Sequence, residues 1–194
     1  MIFSNIVNFF SENFFLIDYI IAGLILVVVL ILYFSKKITK FVFYLFILGF
    51  LIGLLWEIPL GLAKALEIPI VTFSDSKPLT SFPIHSIIHS LWDGGLFLIG
   101  VGFIWLYSKD DFFSKFNIKE LLILEVWGQF QSLIIELSSI VGGGWEYIPY
   151  WWNPSLFSIQ GHNFTLLPQL IWIFASILFY FLAVGTKKNL KSNT

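Results

Sequence analysis

Three polar side chains lie inside an apolar segment of the chain, residues 84–107. His85, His89 and Asp93 are spaced four residues apart, so they share one face of a helix. An imidazole or a carboxylate inside a membrane is costly unless a partner compensates it. We therefore expect these side chains to meet partners from other segments and to form a site for proton transfer or ligand binding.

The composition is typical of a membrane protein. Of the 194 residues, 58% are hydrophobic and 12% are charged, whereas a soluble domain has about 25% charged residues. The net charge of -1 and the lack of arginine give no electrostatic basis for a nucleic-acid partner. The absence of cysteine excludes disulfides, thiolate metal sites and cysteine nucleophiles.

Five apolar runs are long enough to cross a bilayer, which takes about 20 helical residues. They predict an all-α fold, a polytopic membrane protein with a bundle of five transmembrane helices. The bundle forms a single domain over residues 1–186, and residues 187–194 follow as a cytoplasmic tail. The runs are residues 17–34, 41–63, 84–107, 121–141 and 166–184.

The lysines predict the orientation of the bundle. Nine of the eleven follow the first, third and fifth runs, and an excess of lysine marks the cytoplasmic side. Only Lys64 and Lys77 lie on the other side, beside Glu67 and Asp75. We therefore expect the N-terminus outside and the C-terminus in the cytoplasm.

This topology brings polar residues of four helices to the outer half of the membrane. Glu57 lies about 24 Å along the helix axis from residue 41, at the depth of the polar face on the third run. The fourth run carries a polar stripe that ends at that depth, and the fifth run begins with polar residues. These residues are Glu125, Gln129, Ser132 and Glu136 on the fourth run, and His162, Asn163 and Gln169 around the start of the fifth. One cavity that opens outward is expected.

The segment of residues 142–154 combines three glycines with a cluster of tryptophans and tyrosines. Such a cluster is typical of the aromatic belt at a membrane surface. Alternatively, the segment is a lid that is hinged at the glycines and covers the cavity. The ring faces of such a lid, Trp145 among them, would suit an apolar ligand or a carbocation.

Segments in four of the five runs resemble the EXPERA superfamily, the group of emopamil-binding protein and the sigma-2 receptor. FLIGLLWEIP at residues 50–59 resembles the second helix of the family, and Glu57 matches its acid. SIIHSLWDGG at residues 86–95 resembles the next helix, and the preceding His85 takes the position of a second acid. VWGQF at residues 126–130 resembles a Gly-Gln segment of the fourth helix. In QLIWIF at residues 169–174, Gln169 matches an amide and Trp172 an aromatic residue.

The resemblance implies a cavity for an isoprenoid or sterol-like lipid. In the sterol isomerases of the family, acidic groups move a proton across a ring double bond and a tryptophan stabilises the cation. This chain departs from the pattern at three positions. Gly53 replaces a histidine, His85 replaces the second acid, and Asp93 replaces a glycine. The Trp56-Glu57 pair also resembles the integral-membrane terpene cyclases, which protonate an epoxide or an alkene.

Several functions are compatible with these residues. The first is an isomerase or cyclase, with Glu57, Asp93, His89 and His85 as catalytic residues. Its ligand-binding residues would be Glu136, Gln129, Gln169, Trp172, Trp145 and Trp56. The second is a non-catalytic protein that binds a membrane lipid or a hydrophobic small molecule.

Two further functions use the same polar residues. In a membrane hydrolase, His85, His89, Asp93 and Glu57 would hold zinc. In proton translocation, Glu125 and Gln129 would extend the path inward. For the isomerase or cyclase we expect no cofactor and no metal, and a homodimer is left open.

Overall fold

Five long helices dominate the fold, and each of the five predicted spans is confirmed as a helix. The computed structural model describes residues 9–73, 78–159 and 161–192. Lys77 and Asp75, two of the charged residues on the predicted outer side, lie outside the described residues. By length and composition, all five helices can cross a membrane. They are α1 (Phe14–Phe34), α2 (Lys40–Ala65), α3 (Ile84–Ser108), α4 (Ile118–Val141) and α5 (Leu166–Ser192).

The helix ends follow from local capping chemistry. The Thr39 hydroxyl accepts a hydrogen bond from the backbone N–H of Val42 at the start of α2, and Asn117 caps α4 in the same way through the N–H of Lys119. The last helix extends to Ser192, through the lysine-rich segment that the sequence predicts as a tail. Lysine in a last helical turn stabilises the helix, because its charge opposes the negative end of the helix dipole.

The lysine-rich end of the bundle is held together by Lys187. Its ammonium group donates to the backbone carbonyls of Asp110 (3.1 Å) and Phe112 (2.5 Å) and lies 5.2 Å from the centre of the Phe41 ring. The start of α2, the segment after α3 and the end of α5 therefore meet at one end. Glu57 and His85 lie at the opposite end of the bundle, since neighbouring helices run in alternating directions.

The α2 and α3 helices pack most closely, and glycines allow the approach. A Cβ atom at Gly49 would press on the Phe97 ring and on the backbone of Gly94. Helices in a membrane associate through such close contacts between small residues, because burying apolar surface gives no gain in lipid. The glycines of α2 therefore set the distance between the two helices that carry Glu57 and His89.

Four short strands among the described residues make the all-α prediction incomplete, although the fold is mostly helical. β1 (Val71–Phe73) pairs antiparallel with β2 (Trp145–Tyr147), in the register Phe73 to Trp145. β3 (Ser155–Ile159) pairs antiparallel with β4 (His162–Thr165). Strands of three to five residues are too short to show a clear alternation of apolar and polar residues. The partners β1 and β2 are also separated by two helices in the sequence, so their pairing was not predicted.

A buried carboxylate braces the lysine-rich end. Glu120 is 2% exposed. Its two oxygens accept hydrogen bonds from the Ser108 hydroxyl (2.5 Å) and from the backbone N–H of Phe113 (3.1 Å). Glu120 thus satisfies a buried backbone donor in the connection between α3 and α4.

We expect Glu120→Ala to lower the free energy of unfolding by about 1–3 kcal/mol, because the N–H of Phe113 then stays buried without an acceptor. Equilibrium unfolding in mixed micelles measures the change. Lys119→Ala, at the exposed neighbouring position, is the matched control and should change stability by less than about 0.5 kcal/mol. Equal effects of the two substitutions would contradict the bracing role.

Candidate functional site

A cavity of about 1170 Å³ lies at the end of the bundle opposite the lysine-rich end, and all five helices line it. The strands β1 and β2 contribute Phe73, Trp145 and Tyr147 to its wall. Eight of the ten residues predicted for the site line this cavity: Glu57, Asp93, His89, His85, Glu136, Trp172, Trp145 and Trp56. The cavity therefore brings together the ionisable residues of α2, α3 and α4 that were expected at one level of the bundle.

His89 lies between two carboxyl groups from two other helices. Its Nε2 atom lies 2.8 Å from an oxygen of Asp18 on α1, and its Nδ1 atom lies 3.8 Å from an oxygen of Glu57 on α2. The exposed fractions of these side chains are small, 11% for His89, 9% for Asp18 and 17% for Glu57. Both ring nitrogens thus face a carboxyl group, an arrangement in which an imidazole can pass a proton from one to the other.

Asp93 lies on the same side of α3 and fills space that Gly53 leaves open. A Cβ atom at position 53 would collide with the Asp93 side chain. Asp93 is 6% exposed, and its Oδ2 atom has no hydrogen-bond partner within the described part of the chain. A buried carboxyl oxygen without a partner is costly, so this atom is available to a ligand in the cavity.

His85 is linked by hydrogen bonds through Tyr19 to Thr80, in the segment that precedes α3. Its Nδ1 atom is 2.9 Å from the Tyr19 hydroxyl, which is in turn 2.8 Å from the Thr80 hydroxyl. The His85 ring lies 4.2 Å from the His89 ring, measured between ring centres. The two histidines therefore differ, since only His89 contacts carboxyl groups, whereas His85 contacts hydroxyl groups.

Trp145 joins the segment after α4 to the site. Its indole N–H donates to Glu136 (3.3 Å), and its ring lies 5.1 Å from the His89 ring. Its backbone N–H and carbonyl both bond the hydroxyl of Ser139. These contacts fix the indole above the histidine.

The aromatic residues of this segment fall into two groups. Trp145 and Tyr147 line the cavity, whereas Trp151 is 92% exposed, as expected for a surface belt. Gly144 packs so tightly against Phe14 and Ser139 that a Cβ would collide with both. The glycines at this end therefore serve close packing in the described arrangement.

The Tyr147 hydroxyl remains a neutral phenol. Burial, with a smaller contribution from the nearby Glu136 carboxylate, raises the pKa of Tyr147 well above its usual range. Tyr147 can therefore donate a hydrogen bond into the cavity at any physiological pH.

Gln129 and Gln169 do not line the cavity, although the polar stripe and the family pattern predicted them as ligand-binding residues. The Gln129 side chain donates to the backbone carbonyl of Gln169 (3.2 Å), and the Gln169 side chain donates to the Ser132 hydroxyl (3.0 Å). Both amides thus join α4 to α5, as polar side chains between membrane helices often do.

The histidines are not arranged as metal ligands. Among the described residues, no group of three or more histidine and carboxylate side chains has a geometry that could hold a metal ion.

Asp18 is a residue of the site that the spacing of polar residues in the sequence does not predict. It lies near the start of α1 and is buried. Besides contacting His89, it accepts a hydrogen bond at its backbone carbonyl from the Trp92 indole (3.1 Å). An acidic residue within an apolar run is itself a signal of a site, and Asp18 is the acidic residue of the first run.

No protein-family model matches the chain, and neither the curated proteins nor the solved structures contain a match. The chain is thus assigned to a class of protein by its own structure, a bundle of five helices that can span a membrane around a cavity with mainly apolar walls and a cluster of ionisable side chains. The EXPERA resemblance stays a prediction that depends on the motifs alone.

We expect Gly53→Ala to destabilise the protein by about 1–3 kcal/mol, because the new methyl group overpacks the contact with Asp93. Asp93→Gly removes the colliding atoms, so Gly53→Ala should cost less in that background. Unfolding of the four proteins of the cycle gives the coupling energy.

Gly102→Ala on α3 is the control, because a Cβ there meets nothing within 4 Å. Strictly additive effects at positions 53 and 93 would show that the two side chains do not compete for the same space.

Proposed function

We propose that the chain is a multi-pass membrane protein that binds an isoprenoid or sterol-like lipid in the cavity and transfers a proton to and from it. The observation that carries the proposal is the position of His89 between Asp18 and Glu57 at the wall of the cavity. Ligand cavities commonly measure about 300–1,000 Å³, so the space suits a bulky lipid.

Each group of the cluster has a role in this proposal. Asp18 would orient the imidazole of His89 through the ion-pair contact at Nε2, which leaves Nδ1 towards Glu57. Glu57 is the acid that protonates an alkene or epoxide, and His89 accepts the proton that a neighbouring carbon loses and passes it back to the Glu57 carboxylate. In an isomerisation, one carbon gains a proton and a neighbouring carbon loses one, so no co-reactant is consumed.

Aromatic side chains would stabilise the cation that forms between these steps. The Trp56 and Trp172 rings lie 5.6 Å apart at the cavity wall, and Trp145 lies beside His89. A ring face attracts a cation by about 0.5–2 kcal/mol, more when water is excluded. Asp93, whose Oδ2 is without a partner among the described side chains, would add a negative charge or a hydrogen bond.

The departures from the family pattern support this assignment in one respect. The family has a histidine at position 53 and a glycine at position 93, whereas this chain has glycine and aspartate. Because Asp93 occupies the space above Gly53, the two changes are complementary. An ionisable group is thereby retained at the same place in the bundle.

A second candidate is a protein that binds the same class of lipid without converting it. Its support is the cavity itself, whose walls are mainly apolar and aromatic, because such a cavity binds a lipid whether or not chemistry follows.

Incubation of the protein with candidate isoprenoids and sterols in heavy water distinguishes the two functions. We expect deuterium in the recovered lipid, measured by mass spectrometry. Glu57→Gln should reduce the rate by about 100-fold or more, and Asp18→Asn by roughly 10- to 100-fold through loss of orientation.

Glu125→Gln is the matched control, since Glu125 is a carboxylate on α4 that does not line the cavity. Tight binding by the unchanged protein without deuterium incorporation would favour the non-catalytic function. An unchanged rate in Glu57→Gln would remove Glu57 as the acid.

We further propose that the cavity end faces outside and the lysine-rich end faces the cytoplasm. The lack of cysteine makes this testable with single-cysteine variants. A membrane-impermeant maleimide should label Trp151→Cys in intact cells and Lys115→Cys only after permeabilisation. Both native side chains are exposed, so a reversed labelling pattern would overturn the orientation.

A further inference from the structure

One rim of the cavity carries a positively charged side chain and two hydroxyl groups, in contrast to the carboxyl cluster of Asp18, Glu57 and Asp93. Lys64, Thr80 and Ser81 all line the cavity at this rim. The Lys64 ammonium lies 5.0 Å from the centre of the Phe73 ring, which also lines the cavity. The lysine contacts no carboxylate among the residues that the structure describes. An ammonium group that lines a cavity without a carboxylate partner is a suitable ligand for an anion.

The rim and the carboxyl cluster are connected along one face of α2. Glu57, Gly61 and Lys64 follow each other at helical spacing and all line the cavity. Lys64 lies seven residues, or about 10 Å, further along the axis than Glu57. Gly61 lets α3 approach this part of α2 closely, because a Cβ there would collide with the Ser86 hydroxyl.

From this arrangement we infer that the ligand is an amphiphile with an anionic head group, a phosphate or a carboxylate, which Lys64 binds at the rim. The apolar chain then extends into the cavity and places atoms about 10 Å from the head group beside Glu57 and His89. The reverse orientation is disfavoured, since three carboxyl groups, those of Asp18, Glu57 and Asp93, surround the inner position. This inference deepens the proposed function, on which it rests for the reaction at the inner position.

Binding of three probes with the same chain tests the inference: hexadecyl phosphate, hexadecanoate and hexadecanol. The full chain is placed in phosphatidylcholine nanodiscs, and tryptophan fluorescence reports occupancy. For each probe, the affinity of a variant is divided by that of the unchanged protein, so that differences in partition into the bilayer cancel.

Lys64→Gln should weaken at least one of the two anionic probes by roughly tenfold, the loss of one charged hydrogen bond. It should change hexadecanol binding by less than about twofold. Lys64→Arg should retain anion binding, and Lys119→Gln, at the opposite end, should change none of the three. An effect on one anionic probe alone identifies the head group as that anion.

Two results would overturn the inference: an equal loss for the alcohol and the anions in Lys64→Gln, or no loss for any probe. Neither result depends on catalysis. If selective anion binding is found but no lipid gains deuterium, the head-group site stands and proton transfer fails. If deuterium is incorporated and Lys64→Gln changes the binding of no probe, proton transfer stands and the head-group site fails.

Discussion

The close approach of α2 and α3 is the contact on which the site depends. Gly49 and Gly53 allow the backbone of α2 to reach the glycine-containing face of α3, and Asp93 fits into the space above Gly53. The Ser86 hydroxyl also donates to the backbone carbonyl of Glu57 (2.7 Å). At a wider separation, Glu57 and His89 would lie too far apart to interact directly. A contact made by van der Waals packing, as is usual between membrane helices, therefore sets the geometry of an electrostatic cluster.

The polar cluster in turn attaches α1 to the bundle. The side chain of Asp18 contacts His89, and its backbone carbonyl accepts a hydrogen bond from the Trp92 indole. The hydroxyl of the next residue, Tyr19, is hydrogen-bonded to His85. All three contacts join α1 to α3. Burying a carboxyl group costs several kcal/mol unless it is paired, and the pairing with His89 offsets part of that cost. The residues that would carry the chemistry thus also hold the first helix in place, and their removal affects both assembly and reactivity.

The level of a residue along its helix was predictable from the sequence, whereas rotation about the helix axis was not. The length of an apolar run places Glu57, His89 and Asp93 at one level, because a helix rises by a fixed distance per residue. Which residues of a run face the cavity depends on packing between helices. Gln129 and Gln169 lie on polar faces but join α4 to α5. Asp18 was missed because its run has no polar stripe, and β1 and β2 because their pairing is made by the tertiary fold.

The asymmetry of the cluster bears on the choice between binding and catalysis. A cavity that only holds a lipid needs apolar walls and a few satisfied polar groups. Here one imidazole has a carboxyl group at each nitrogen, and a third carboxyl group nearby has an oxygen without a partner among the described residues. Such an arrangement is costly to bury. Burial of these groups is explained if they exchange protons with a ligand, since the proton donor and the acceptor must then be in position before the ligand binds. The paired imidazole and the third carboxyl group are therefore the features that support the proposal of proton transfer rather than of binding alone.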